Sequence, residues 1–501
     1  MGEQQTSSNE TNQFLEDVIE QIQYKPIRTE IKEELKAHIE DHTLELMENG
    51  MEEKEATQIA IEQMGDPTSI GIMLNKVRSV KNHWVLIGML LAAISMGILN
   101  NFMYYNVDWE SGYLYGIGDI LFNLNYFIFG LIIFIVIYLK GYTFVVKHEK
   151  LICISFIVIF LVEKFFGRFV SYTLKRYFPF HVLEYGFLLI LGPLLAIVLY
   201  KWGNKGIKTL LAYTIILNFI IILQYNTLRS YSFTAILTLL ITSTASLLYM
   251  IYKGYLLGNK KKLFFYALLS IFITLGIYGT ISFPTQKRNL QLFFSPEKQA
   301  TNHWEDGYNG VLIKELLRKA EPFGTIKLTQ EELMDYGTGA WYFDEEEVAN
   351  ITKYRHYNIS NVTFEDILPQ HYHNNYRFTF WILNYGWIPA IILITFVIGL
   401  FTTLFVVSSK IKNKLGAAIA FSCGVCLTIQ MIIYLLGNFG YQYGSFSTLP
   451  FISEGLGSIT INMTLIGMIL SAYRYDNVIK EDSCEFKKPD LNIARLIVKS
   501  K

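Results

Sequence analysis

Residues 386–407, GWIPAIILITFVIGLFTTLFVV, contain no charged side chain in 22 consecutive positions. An α-helix rises about 1.5 Å per residue, and the hydrocarbon core of a bilayer is about 30 Å thick. About 20 apolar residues are therefore enough to cross a membrane as a helix. This segment is predicted to be a transmembrane helix.

Similar apolar segments recur along the chain from Trp84 onward. Hydrophobic residues make up 52% of the chain and charged residues only 17%, whereas a soluble domain carries about a quarter charged residues. We predict an all-α polytopic membrane protein with about ten transmembrane helices. The predicted spans are 84–102, 118–139, 151–166, 183–200, 208–225, 232–252, 262–283, 386–407, 415–436 and 455–474.

Lysine is concentrated in alternate loops of this pattern. The loops at 140–150, 201–208, 253–262 and 408–414 are basic, whereas the loop after the first span and the loop at 437–452 contain no Lys or Arg. Cytoplasmic loops carry the excess of positive charge in membrane proteins. We therefore predict a plasma-membrane protein with both termini in the cytoplasm. Residues 284–385, called the large loop below, are then extracellular.

The first 80 residues have a different character. They are polar, lack an apolar signal segment and carry narrow apolar stripes at helical spacing, such as Leu15, Val18 and Ile22. Such stripes indicate short amphipathic helices that pack into a soluble bundle. We predict a cytoplasmic helical prefix domain at 1–80, a membrane domain at 84–475 and a cytoplasmic tail at 476–501.

Short motifs flank the spans around the large loop. The loop begins Arg288-Asn-Leu-Gln-Leu-Phe-Phe-Ser-Pro296, continues to Gly307-Tyr308-Asn309, and ends with Leu368-Pro369 and His373-Asn-Asn375-Tyr-Arg-Phe378. The segment Leu449-Pro450-Phe451-Ile452-Ser453-Glu-Gly455-Leu-Gly457-Ser458 leads into the last span. In order and spacing these motifs resemble the FtsW, RodA and SpoVE family of shape, elongation, division and sporulation proteins. Residues 12–80, with Glu-Gln-Met-Gly65-Asp66-Pro67, separately resemble a helical permease prefix domain.

The resemblance implies a peptidoglycan glycosyltransferase that polymerises lipid II, or another undecaprenyl-linked precursor, during cell division, elongation or sporulation. Its implied partner is a class B penicillin-binding protein, in addition to the surrounding membrane lipids. The net charge is zero, so nothing points to nucleic acid. The implied substrate-binding residues are Glu184, Arg288, Tyr308, His373, Pro450, Ser453, Gly455 and Ser458. For Arg288 and for Pro450 with Gly455, the alternatives are interfacial snorkelling and the backbone geometry of a re-entrant turn.

Two positions depart from the family pattern. Where the family has an aspartate, about a dozen residues before the glycine that opens the eighth span, this chain has Asn375. A carboxamide has no basic lone pair at neutral pH, so it cannot take a proton from a sugar hydroxyl. The segment Phe180-His-Val-Leu-Glu184-Tyr-Gly-Phe187 keeps the family's glutamate but lacks its proline and lysine.

Three hypotheses follow for the activity. The chain is a degenerate family member that binds a cell-wall synthase partner or lipid II, or it is an active glycosyltransferase that uses a substitute carboxylate. Asp366 is the first candidate for that substitute, beside Glu365 and Glu454, and a divalent cation would assist an active enzyme; no other cofactor is indicated. The third hypothesis is a transporter of lipid-linked precursors. Whether the protein is an enzyme is left open by the sequence.

Overall fold

The computed structural model describes residues 2–103, 117–155, 158, 180–225, 232–302, 305–354, 364–369, 372–444, 447–453 and 455–479. Throughout these ranges the regular secondary structure consists of helices without any strand. The predicted all-α fold class is confirmed. The chain divides into two compact units, which are described separately.

The first unit contains the residues up to Asn82 and the segment that begins at Tyr473. Its first part folds as a helical bundle. Asp66 begins the last of its helices, because its side chain accepts a hydrogen bond from the Ser69 backbone N–H at 2.7 Å and proline follows at the first helical position. The bundle helices are α1 (Gly2–Glu20), α2 (Arg28–Glu48), α3 (Glu53–Met64) and α4 (Pro67–Val77).

The C-terminal segment completes the core of this unit. Tyr475 and Val478 are only 3% and 4% exposed and pack with the apolar stripes of the bundle. The ring of Tyr475 lies 5.5 Å from the ring of Tyr24. Lys81 donates a backbone hydrogen bond to the Arg474 carbonyl oxygen at 3.0 Å. The described part of the C-terminal segment is thus a structural part of the bundle.

The second unit, His83–Ala472, contains the long apolar helices and is called the membrane domain below. Nine of the ten predicted spans coincide with helices of the described residues; the third, at 151–166, is helical over 151–155 and otherwise lies mostly outside those residues. Six of the described helices are long and apolar enough to cross a membrane, and further apolar helices are shorter. The first helices of this unit are α5 (Trp84–Met103), α6 (Ile117–Lys140), α7 (Thr143–Lys147), α8 (Phe180–Lys201), α9 (Ile207–Tyr225), α10 (Ser232–Lys253) and α11 (Lys260–Ile281).

Three helices form the centre of the membrane domain: α8, α10 and α19 (Lys414–Asn438). Small and hydroxyl-bearing residues let them approach closely. A Cβ added at Gly192 of α8 would lie 2.7 Å from Cγ2 of Thr242 on α10, so only glycine fits there. Lipid tails are as apolar as leucine, so close packing of this kind is what holds membrane helices together.

The large loop is folded over its described residues. It contains α12 (Phe283–Phe294), α13 (Asp306–Lys319), α14 (Gln330–Thr338), α15 (Glu345–Tyr354), α16 (Tyr372–Asn375) and α17 (Arg377–Tyr385). Aromatic side chains form its interior: the rings of Tyr308 and Phe343 lie 4.8 Å apart, and Trp341 Nε1 donates to the Tyr308 hydroxyl at 3.1 Å. The chain then continues through α18 (Trp387–Ser409), α19 and α20 (Leu456–Arg474).

Candidate functional site

Helix α12 buries two polar side chains and exposes several apolar ones. Gln286 and Asn289 are 8% and 4% exposed, whereas Phe283 and Phe294 are 64% and 72% exposed. This arrangement would be unfavourable in water but suits a helix that borders lipid, because lipid solvates apolar side chains. Polar groups held inside a membrane protein are costly unless they serve a structural or functional purpose. The inner face of α12 is therefore the first element of a candidate site.

Gln442, which is 4% exposed, lies opposite this face and connects three segments of the chain. Its Oε1 accepts a hydrogen bond from the Tyr376 hydroxyl at 3.1 Å, and its Nε2 donates to the Gly444 carbonyl oxygen at 2.7 Å. Its side chain also lies close enough to the Asp306 carboxylate to lower the pKa of that group by hydrogen bonding. The next residue, Tyr443, donates its hydroxyl proton to Oε1 of Gln286. The polar cluster is defined as Gln286, Asn289, Asp306, Tyr376, Gln442 and Tyr443.

Asp306 is the carboxylate of the polar cluster. Its pKa is raised, mainly by burial; the positive charge of Arg288 and the hydrogen bond from Gln442 oppose that rise, and the negative charge of Glu305 adds to it. Arg288 itself is exposed on α12. Burial and the charge of Asp306 also raise the pKa of Tyr376 well above its usual range, so the Tyr376 hydroxyl stays neutral and donates.

The start of α13 fixes the position of Asp306. A Cβ added at Gly307 would lie 2.1 Å from the carbonyl oxygen of Gln299, which belongs to the short 3-10 turn Pro296–Gln299. Glycine at position 307 thus allows the first turn of α13 to pack closely against the 3-10 turn Pro296–Gln299. This close packing fixes the position of the neighbouring residue Asp306.

Asn289 carries an unused donor inside the protein. Its side chain is 4% exposed, and among the described residues its Nδ2 has no hydrogen-bond partner. A Cβ added at Gly444 would lie 3.1 Å from this nitrogen, so the amide lies beside the segment that carries Gln442. A buried donor without a partner costs about 1–3 kcal/mol. Such a group suits a site that receives a polar ligand.

The position of Asn375 is fixed by the C-terminal end of α19. Asn438, which is fully buried, donates from Nδ2 to the Asn375 carbonyl oxygen at 3.0 Å. Its Oδ1 accepts from the Thr379 backbone N–H, also at 3.0 Å. The Asn375 side chain is half-buried and immediately precedes Tyr376 of the polar cluster. Position 375 is therefore next to the cluster but contributes no carboxylate to it.

No protein family and no curated protein sequence matches the chain. Among solved structures, the fold is similar to that of a chain from a peptidoglycan synthase complex, described as coordinating polymerization and crosslinking. The TM-score is 0.51 and the sequence identity 12%, and the match covers 79% of this chain and 98% of that one. At this identity the similarity is one of fold. It agrees with the fold that the sequence motifs predict.

The predicted substitute carboxylate lies in a different environment. Asp366 is exposed, whereas its neighbour Glu365 is half-buried. Burial, followed by the charge of Asp366, raises the pKa of Glu365, and a hydrogen bond from Tyr372 lowers it. Of the described carboxylates, Asp306 is the one that shares hydrogen bonds with the polar cluster. Glu454 lies outside the described residues.

The segment before the last span is held by hydrogen bonds within itself. Ser453 Oγ accepts from the Leu449 backbone N–H at 2.9 Å, and Ser458 Oγ donates to Thr448 Oγ1 at 2.7 Å. Pro450 is buried, and Gly455 has a φ of +114°. These contacts support a role of Pro450, Ser453, Gly455 and Ser458 in backbone geometry; their predicted role in substrate binding stays a prediction.

The structure describes the side chain of only one of the three remaining predicted substrate-binding residues, Tyr308, Glu184 and His373. Tyr308 is 5% exposed and its ring packs within the aromatic interior of the large loop, away from solvent. Glu184 lies in α8 and His373 in α16, but their side chains lie outside the described residues. Within the part of the chain that the structure describes, no three His, Cys, Asp or Glu side chains are grouped as a metal site would need.

The sequence motifs did not reveal Asp306, Asn289 and Gln442 as site residues. Each is a single polar residue, and they come from three separate segments of the chain. Arg288, which the motifs did indicate, directly precedes Asn289 and acts on Asp306 through its charge. A usable signal was present in α12, where the polar residues Gln286 and Asn289 recur one helical turn apart in a helix that also carries Phe283, Leu290 and Phe294.

Proposed function

We propose that the protein acts in peptidoglycan synthesis, where it binds a lipid-linked precursor of the lipid II type through the polar cluster and Arg288. The presence of asparagine at position 375 is the observation that carries this proposal of binding without proton transfer. It occupies the acidic position of the motif, is held in place by Asn438, and has no basic lone pair. Binding without proton transfer by residue 375 is the function that follows.

The chemistry of the polar cluster supports this substrate class. Carboxamides and tyrosine hydroxyls both donate and accept hydrogen bonds, which matches the hydroxyl and amide groups of amino sugars. The guanidinium group of Arg288 suits a diphosphate, which it can bind through two parallel hydrogen bonds. The exposed apolar side chains of α12 border the same site and suit the lipid part of the precursor. The predicted orientation puts the large loop, and with it the site, on the outer side of the membrane.

A second candidate function is polymerisation of the precursor with a substitute carboxylate. Asp306 favours it, because it is a half-buried carboxylate with a raised pKa in the polar cluster, and Tyr376 of that cluster follows position 375 in the chain. A proton acceptor works best when its pKa is close to the working pH.

A class B penicillin-binding protein is the proposed partner, packed along the spans that border the large loop, α11 and α18. A photo-crosslinking amino acid at Phe272 of α11 or Ile392 of α18, which are 78% and 67% exposed, would capture it in cells. The matched control is the same amino acid at Leu44, which is 58% exposed in the first unit. Crosslinks that contain no cell-wall enzyme at either membrane position would reject this partner.

Lipid II binding by the purified chain in nanodiscs tests the proposed function directly. We expect saturable binding of lipid II by the wild type, well above that of a zwitterionic phospholipid. Polymerisation is followed in the same samples, beside an Asn375→Asp variant and with the crosslinked partner present. If the variant gains polymerisation that the wild type lacks, the site is intact and lacks only the acid. Equal binding of lipid II and the control phospholipid would overturn the proposal.

A further inference from the structure

We propose that Asp306 is the catalytic carboxylate of this site and takes the place of the acid that position 375 lacks. This inference rests on the proposed function in its second form, in which the bound precursor is polymerised. Three observations on the described residues carry it: the position of Asp306, an unused donor in the same cluster, and the charge of Arg288.

Asp306 is joined to position 375 through one side chain. Gln442 hydrogen-bonds the Asp306 carboxylate and accepts from the Tyr376 hydroxyl at 3.1 Å. The amide nitrogen of Gln442 has two N–H groups, so it can donate to Asp306 and to the Gly444 carbonyl oxygen together. Tyr376 directly follows Asn375 in the chain. Asp306 is therefore linked through Gln442 to the residue that follows position 375.

Asn289 provides an independent sign that the cluster receives a polar ligand. Its Nδ2 is buried without a hydrogen-bond partner among the described residues, although the neighbouring Gln286 and Gln442 are both hydrogen-bonded. Leaving this amide unpaired is costly, and a polar ligand would remove that cost. A sugar hydroxyl or carbonyl oxygen at this place would accept from it.

Arg288 supplies the complementary charge. It is exposed on α12, one residue before Asn289, and its positive charge acts on Asp306. A bound diphosphate would attract the guanidinium group and partly neutralise its effect on the carboxylate. The pKa of Asp306 would then rise further, which makes the carboxylate a stronger proton acceptor when substrate is present.

The step balances with these groups alone. The Asp306 carboxylate takes the proton of the acceptor sugar hydroxyl, and the oxygen forms a bond to the anomeric carbon of the donor sugar. The bond between that carbon and the diphosphate oxygen breaks, and its electron pair leaves with the lipid diphosphate, whose charge Arg288 stabilises. Asp306 ends as a neutral acid and releases its proton to water.

The test compares Asp306→Asn, Asp306→Glu and Asp335→Asn in the full chain, in nanodiscs with lipid II and with the crosslinked partner present. Asp335 is a matched control because it is an exposed carboxylate of the same loop. We expect Asp306→Asn to lower polymerisation by at least about 100-fold, the lower end for loss of a general base. Lipid II binding should stay within a few-fold of wild type, because Arg288 and the other residues of the polar cluster still hold the precursor. Asp306→Glu should restore part of the activity.

Each other outcome overturns the inference. A wild type that binds lipid II but never polymerises it leaves the proposed function standing and removes the catalytic role of Asp306. Unchanged polymerisation in Asp306→Asn removes it as well. If binding and polymerisation fall together in Asp306→Asn, the residue binds substrate instead of accepting the proton. Absence of lipid II binding in the wild type would reject the proposed function and the inference with it.

Discussion

Asn438 donates a hydrogen bond from Nδ2 to the carbonyl oxygen of Asn375 at 3.0 Å and thereby ties the large loop to the end of α19. The same side chain accepts from the Thr379 backbone N–H at 3.0 Å. The Asn438 side chain thus pairs with two backbone groups, the carbonyl oxygen of Asn375 before Tyr376 and the N–H of Thr379 after it. Asn438 therefore acts together with the Tyr376–Gln442 hydrogen bond to hold the end of the large loop against α19 and the segment that follows it.

Asn438→Ala should lower the stability of the purified protein. The substitution leaves the Thr379 N–H and the Asn375 carbonyl oxygen without Asn438, at a cost of about 1–3 kcal/mol for each buried group that stays unpaired. Thermal unfolding in detergent, followed by intrinsic fluorescence, measures the effect. Asn384→Ala is the matched control, because Thr325 Oγ1 keeps the Asn384 carbonyl oxygen as an acceptor at 3.1 Å. Equal stability of the two variants would contradict the structural role of Asn438.

Gly307→Ala should displace the first turn of α13 and with it Asp306. The added Cβ would lie 2.1 Å from the Gln299 carbonyl oxygen, so the backbone must move. Overpacking of this kind costs about 1–3 kcal/mol. We expect a lower unfolding temperature together with weaker lipid II binding. Gly276→Ala is the control, since no atom lies within 4 Å of a Cβ added there; it should leave both quantities near the wild type. A Gly307→Ala protein that matches this control would show that α13 tolerates the shift.

The pH dependence of polymerisation should follow the titration of Asp306. Burial raises the pKa of Asp306 and Arg288 lowers it, and the carboxylate must be ionised to accept a proton. Activity should therefore fall as the pH is lowered through this pKa. Arg288→Ala removes the lowering influence, so the fall should move to higher pH.

Arg288→Lys keeps the positive charge and is the control for this experiment. Its pH profile should stay close to the wild type, although its diphosphate binding is weaker because lysine cannot form the two-pronged contact. A shift of the Arg288→Ala profile to lower pH, or none, would mean that another group titrates.

The sequence predicts the membrane fold well because the bilayer imposes a simple length and polarity rule. A segment such as 386–407 has no alternative to a spanning helix. That Asn375 occupies the acidic position of the family pattern stays a prediction. The polar cluster was beyond sequence reasoning, since Asn289, Asp306 and Gln442 belong to separate segments and become neighbours only in the fold. The burial that raises the pKa of Asp306 likewise arises from tertiary packing.

The sequence analysis predicts the C-terminal segment as a separate tail. Tyr475 and Val478, however, are buried in the bundle core, so we expect the part up to residue 479 to depend on the bundle. Deleting residues 1–80 should leave membrane insertion intact, because the spans begin at Trp84. It should also expose Tyr475 and Val478, which lose the side chains that bury them. Limited proteolysis of the deleted protein should then cut near residue 475, where the full chain is protected. Failure of the deleted protein to insert would make the bundle part of the folding core.

Tyr475→Ala tests the same contact in the full chain. Removing a buried aromatic ring costs about 3–5 kcal/mol when the site cannot collapse. Because Tyr475 packs against the bundle and its ring lies 5.5 Å from that of Tyr24, the loss should appear as faster hydrogen exchange in peptides that cover Leu15–Ile39. Tyr385→Ala is the control, since Tyr385 is 41% exposed and lies outside this unit. Unchanged exchange in Tyr475→Ala would mean that the bundle holds together without the C-terminal segment, and deletion of the tail beyond Arg474 should then leave the bundle equally stable.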